Sequence, residues 1–267
     1  MSRAAILVVV LSAVFGSGCS FFAKSTPTPA KDIPPSTGTE PSPPGERYFL
    51  IVFGSESTPK KAKYTHTWAT IVRVVECAGR APAVEPHTIS WMPATLDIHP
   101  LSRRVEPGTN LEMHFTIQEM LRNDEHVAMW GPYEVGPSMY QRFLVQKQFM
   151  ESGQVGYQCV DSIGEAARTG CGCDCIHAIT DMDPLFDRGR YPLAYFGEAA
   201  SRNIVRQIHE RPIIIRPGQC NDWLIPLLGL DQYPIERQQW DGPVIENTPE
   251  NIQKYLNSPR VQRQINR

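Results

Sequence analysis

The run Gly170-Cys171-Gly172-Cys173-Asp174-Cys175-Ile176-His177-Ala178 constrains the chain most, packing three cysteines, two glycines, an acid and a histidine into nine residues. Glycines let a backbone turn tightly. The stretch from Ile176 to Met182 predicts the start of a short helix. A cysteine at such a junction has its thiolate stabilised by the helix N-terminus. Three uses of the cluster stand open: a nucleophile, a metal site or a disulfide knot.

Choosing among them requires a compartment, because seven cysteines in 267 residues mean different things inside and outside a cell. Arg3 precedes an apolar run from Ile6 to Phe15, and Gly16-Ser17-Gly18-Cys19 follows. A charged start, a short apolar core and small residues predict an export signal. The run is too short for a permanent bilayer-spanning helix. The small residues leading into Cys19 resemble a bacterial lipobox, with Gly16 where Leu or Val is usual. That resemblance implies a signal peptide over residues 1–19, lipidation of Cys19 and a membrane partner reached through the lipid. It places the protein in the cell envelope, facing the periplasm or the exterior, and Ser20 leans it towards the outer membrane.

Residues 20–46 read as a tether. Pro27, Pro29, Pro34, Pro35, Pro41, Pro43 and Pro44 alternate there with Ser, Thr and Gly. Such a segment favours extended polyproline conformations and builds no core. At about 3.1 Å per residue it reaches up to ~80 Å. A net charge of -2 gives no case for a nucleic-acid partner.

The folded part begins at Arg47. Tyr48 to Phe53, Thr65 to Glu76 and His87 to Met92 predict three strands, and alternation sets His66, Trp68, Thr70, Val72 and Val74 on one face of the second. Helices are expected over 110–122, 137–151, 197–210 and 221–229, with a short one opened by Thr248-Pro249. Trp130-Gly131-Pro132 reads as a turn, 155–163 as a strand or extended entry to the cysteine cluster, and the C-terminal residues as frayed. The expected fold class is α+β, a small antiparallel sheet packed against helices. One domain spans 47–210, and 211–267 forms a helical extension packed on it.

A thiol needs a base, and the base an orienting partner, to act as a nucleophile at neutral pH. His66 and His87, on neighbouring antiparallel strands, can supply base and orienter for Cys175 at its helix start; His99 is a weaker candidate. The order of a strand histidine, a second strand histidine and Cys-x-His resembles the circularly permuted branch of the NlpC-like, papain-fold superfamily, including the lecithin:retinol acyltransferase group. The residues that carry it are His66-Thr67-Trp68, His87-Thr88-Ile89 and Asp174-Cys175-Ile176-His177, and it covers about residues 48–210. Asp174 stands where that group has Asn, Ile176 where it has Glu, and 21 residues separate the two histidines, more than in the acyltransferases.

The resemblance implies a permuted papain-like cysteine hydrolase or acyltransferase. Cys175 attacks an amide or ester carbonyl of a peptide or acyl substrate, a cell-wall peptide being favoured by location. His66 takes the proton and His87 orients His66. No cofactor is called for. The alternative is a non-catalytic envelope lipoprotein that uses the same fold for binding or scaffolding. A metal held by Cys171, Cys173, Cys175 and His177 is disfavoured, since their spacing is unlike zinc knuckles and four ligands would crowd into seven residues. In an oxidising compartment Cys159 can pair with Cys171 or Cys173, and Cys77 or Cys220 can join in. His177 is expected to be structural, and Trp68 and Trp91 to be core or cleft wall.

Overall fold

A computed structural model describes residues 33, 35–183, 185–186 and 195–265. The expected signal peptide, the lipidation candidate Cys19 and most of the tether lie outside the described residues. Strands β1 (Glu46–Ser57), β2 (Thr65–Val75), β3 (Ala83–Ile89), β4 (Trp91–Pro93) and β5 (Gly108–Asn110) come first. Helix α1 (Met113–Arg122), strand β6 (Glu125–Val135) and helix α2 (Pro137–Glu151) follow. The cysteine-rich region holds β7 (Gly156–Tyr157), α3 (Gly164–Thr169), β8 (Gly172–Cys173) and α4 (Cys175–Thr180). The chain continues with α5 (Glu198–His209), α6 (Leu224–Leu227), β9 (Ile235–Gln238), α7 (Pro249–Leu256) and α8 (Pro259–Ile265).

The class is α+β, built on a five-stranded sheet in the order β3-β2-β1-β6-β9. The pairs from β3 to β6 are antiparallel and β9 joins β6 in parallel, so the sheet is mixed where a purely antiparallel one is expected. The middle of β1 is buried residue after residue from Tyr48 to Ser55. A strand covered on both sides reads as a continuous apolar run, which explains the sequence Tyr-Phe-Leu-Ile-Val-Phe. One face of β1 carries Tyr48 against Tyr140 of α2, ring centroids 4.8 Å apart, and Gly54 against α5. The opposite face carries Phe49, edge-on to Trp223 at 5.4 Å, and Phe53, stacked on Trp68 of β2 at 5.2 Å.

Three segments depart from expectation. β6 runs straight through Gly131-Pro132, where a turn is expected. Gly131 takes φ +92 and the pairing with β1 shifts register between Leu50 and Val52, so the Gly-Pro pair sits in a bulge of a continuing strand. The segment 211–267 contributes more than helices, because β9 forms the edge of the sheet, and its end is helical in α8 rather than frayed. The end of the expected tether is docked: Ser36 and Thr37 are buried, and the Glu40 carboxylate accepts from the backbone N–H of Thr37 at 2.7 Å and of Ser138 at 3.3 Å. Among the described residues no helix is long and apolar enough to cross a membrane.

Gly54 sets how closely α5 lies on the sheet. A Cβ there would come within 2.7 Å of Ser201 Oγ and 2.8 Å of Glu198 Cα. Since the Glu198 contact is helix backbone, Gly54→Ala must push α5 outward. The expected cost is about 1–3 kcal/mol, measured by urea unfolding, with Ser201→Ala unable to restore the loss.

Candidate functional site

α4 begins at Cys175 because Asp174 caps it. The Asp174 Oδ1 accepts from the backbone N–H of Ile176 at 2.9 Å and of His177 at 2.7 Å, satisfying two N–H groups that a helix start leaves without partners. The parallel pairing of β7 with β8 fixes the approach, with Gly156 opposite Gly172 and Tyr157 opposite Cys173. Gly170 supports this turn in the left-handed region at φ +71, closing α3.

The Cys175 side chain is buried. Burial first, then the charge of Asp174 and the neighbouring Cys159, push its thiol well above the ordinary range. The backbone N–H groups of Thr67 and of Cys175 itself act in the opposite sense. The Thr67 influence ties the sulfur to β2, one residue from His66.

His66 is fully buried on β2, and its Nε2 is 2.9 Å from the Ser90 Oγ. Its ring stacks on Trp68, centroids 5.4 Å apart, and Trp68 stacks in turn on Phe53. The ring plane is therefore fixed by packing and its rotation by Ser90. Nδ1 is buried with no hydrogen-bond partner among the described residues. Burial pulls the imidazole down to about 3, so the ring is neutral at physiological pH. Ser90 is itself pinned between β3 and β4. Its N–H donates to Asn110 Oδ1 at 2.8 Å, and its carbonyl accepts from Leu111 at 3.0 Å.

His87 is not the partner of His66. It lies on β3 opposite Ile71, with Nε2 3.2 Å from the Tyr140 hydroxyl and 3.2 Å from a Glu85 carboxylate oxygen. His66 pairs across β1 with Ser55, well along β2 from that position. The orienting contact expected of His87 is made by Ser90, three residues later in the same predicted strand. The available signal was a lone hydroxyl between Ile89 and Trp91. His99 is exposed beside Asp97 and Glu106, on a loop.

The expected disulfide of Cys159 with Cys171 or Cys173 is not formed. The register explains this, since Cys159 continues past the Tyr157–Cys173 pair towards the start of α4, and the Cys173 thiol donates to the Asp174 carbonyl at 3.3 Å. Cys77 and Cys220 are exposed thiols elsewhere. Tyr157 and Cys159 are buried together, and burial pushes the Cys159 thiol up to about 12.

His177, expected to be structural, lies in a charge triad. Its Nδ1 lies 2.7 Å from Asp161 Oδ2 and 3.1 Å from Asp174 Oδ2. Burial works against a charged ring here, but Asp174 and Asp161 outweigh it and hold the imidazole up at about 10. By distance these three side chains could hold a metal ion, their donor atoms lying within 4.8 Å of one another. A protonated Nδ1 facing both carboxylates satisfies them without one. The metal set weighed from sequence is not assembled, because Cys173 Sγ is engaged with the Asp174 carbonyl and His177 with the two acids.

Comparison of the chain with family models, with curated proteins and with solved structures finds no match.

The triad has a pH signature. The folded His177 ring keeps its proton up to about pH 10, whereas its ordinary value is 6.5. Its contribution to stability is therefore complete below the ordinary value and is lost as pH rises through the folded one. Urea unfolding of the wild type and His177→Gln across that window should show the wild-type advantage shrinking steadily. An advantage independent of pH would contradict a charged triad.

Proposed function

We propose that the chain is a cysteine hydrolase or acyltransferase of the permuted papain-like type, acting on an amide or ester bond. Cys175 is its nucleophile and His66 its base, with Ser90 in place of His87 as the residue that holds His66. The observation that carries the reading is the state of the His66 ring. Nε2 is held by Ser90 and Nδ1 has no hydrogen-bond partner among the described residues, one residue along β2 from the backbone N–H that acts on the Cys175 thiol. A base with one nitrogen held and the other open, and a thiol at a helix start tied to the neighbouring residue of the same strand, are the two parts nucleophilic catalysis needs.

In the reaction, His66 Nδ1 accepts the thiol proton as Cys175 Sγ bonds to the carbonyl carbon. The oxygen takes the negative charge and accepts a hydrogen bond from the Cys175 N–H, a donor that gains strength as charge develops. Collapse of this adduct breaks the bond to the amine or alcohol, which leaves with the proton from His66. Water or a second acceptor then releases the acyl group from sulfur and regenerates the thiol. The peptide or acyl class of substrate follows from the resemblance, and a cell-wall peptide from the envelope address alone.

A non-catalytic envelope protein using the fold for binding is favoured by a different observation, the burial that raises the Cys175 thiol and strips His66 of its proton. Thiol alkylation separates the two. The enzyme reading expects Cys175 to react with iodoacetamide faster than exposed Cys77, and to slow about tenfold or more in His66→Ala. Peptide mapping by mass spectrometry reads both rates. A Cys175 that reacts no faster than Cys77, with or without His66, overturns it.

We also propose that the protein is exported and anchored through lipid on Cys19, with the proline-rich leader as tether. Cys19→Ser expressed in a bacterial host is expected to shift from the membrane fraction to the soluble one and to lose incorporation of labelled palmitate. Unchanged fractionation and labelling would remove the anchor from the reading.

A further inference from the structure

A cavity of about 200 Å³ lies between α5 and the C-terminal helices α7 and α8. None of Cys175, His66 or Ser90 lines it. Its walls bring together hydrogen-bond donors that are incompletely used among the described residues. Arg211 is 7% exposed, with Phe186 4.1 Å from its guanidinium carbon. Its Nη1 reaches Asp183 at 3.2 Å and its Nε donates to the Gln207 carbonyl at 2.9 Å, while Nη2 is buried and makes no well-formed hydrogen bond among the described residues. The Tyr255 hydroxyl, on the other wall, is likewise buried and has no acceptor for its proton among the described residues. Arg211 faces the Tyr255 oxygen as a hydrogen-bond donor and, with the charge of Arg142, favours its ionised form, against the larger effect of burial.

A guanidinium can only donate hydrogen bonds, and a buried N–H left unused costs free energy. One ligand oxygen bearing negative charge satisfies Nη2 and Oη together. The rim agrees, for Arg260 and Ser258 add an exposed cation and a hydroxyl. The lining carboxylate of Glu210 is drawn to Arg206 at 3.8 Å. Leu185 and Val261 form an apolar wall suited to a few carbons behind the anionic group.

We propose that this cavity binds a small oxyanion, a carboxylate or a phosphate group, held by Arg211 and Tyr255 with Arg260 at its mouth. The volume matches an inorganic ion or a small organic acid. The site is independent of chemistry at Cys175. It would make the C-terminal helices part of a binding site rather than a passive cover.

Isothermal titration of the full chain with sodium phosphate and, separately, sodium acetate tests this, with sodium chloride at matched ionic strength as reference. One saturable site is expected for phosphate, acetate or both, and the stronger binder identifies the group. Tyr255→Phe combined with Arg260→Gln keeps the Arg211–Asp183 pair and should weaken binding about tenfold or more, with an unchanged circular dichroism spectrum as the check on folding. Heats that match chloride for both anions, or equal binding by wild type and a folded double variant, overturn the proposal.

Discussion

β1 has no solvent face along its middle, and the neighbouring elements are arranged around that fact. A strand buried on both sides must have its backbone groups paired along both edges and its side chains covered above and below. β2 and β6 supply the edges, and α2 and α5 supply one cover. β2 inherits much of the same enclosure, with its first eight residues buried. The ring of His66 is consequently sealed into an aromatic stack, where a charge finds little solvation.

That enclosure sets the electrostatics around Cys175. Imidazole and thiol are both held in their neutral forms, by the same cause acting in opposite directions on a base and an acid. Asp174 adds a conflict. As a cap it creates the helix start whose N–H groups favour a thiolate, while as a carboxylate beside the sulfur it disfavours one. The full charge outweighs the partial charges, since Asp174 stands second to burial among the influences that raise the thiol. The proton on His177 offsets part of that negative field and binds both acids in place. In the proposed reading the resting site is a neutral thiol and a neutral base, and proton transfer is coupled to a substrate entering it.

Much of this was legible in the chain. The apolar run of β1, the alternation of β2 and the spacing of α2 and α5 announce themselves because each is periodic and bounded by turn residues. Asp174 and Cys175 at a helix start follow from the glycine-rich approach. β6 was hidden because Gly131-Pro132 breaks its pattern, and a bulge that lets a strand continue looks in sequence like a turn that ends it. β9 was hidden for a different reason: four residues, Ile-Glu-Arg-Gln, carry no strand pattern, and a tertiary edge decides their conformation. Ser90 escaped because a single hydroxyl has no spacing signature. Its role comes from the kink between β3 and β4, whereas His87, chemically the better candidate, is placed by register beside Tyr140.

The position of β9 bears on how such a chain acquires its fold. The strand it lies against ends at Val135, and β9 itself begins at Ile235. During synthesis the outer edge of β6 therefore stays open while roughly a hundred further residues emerge, a long interval in which an unpaired edge can recruit another chain. Closure of that edge is among the latest long-range contacts available to the nascent protein. For a chain exported as proposed, β9 would postpone completion of the sheet until nearly the whole polypeptide has arrived.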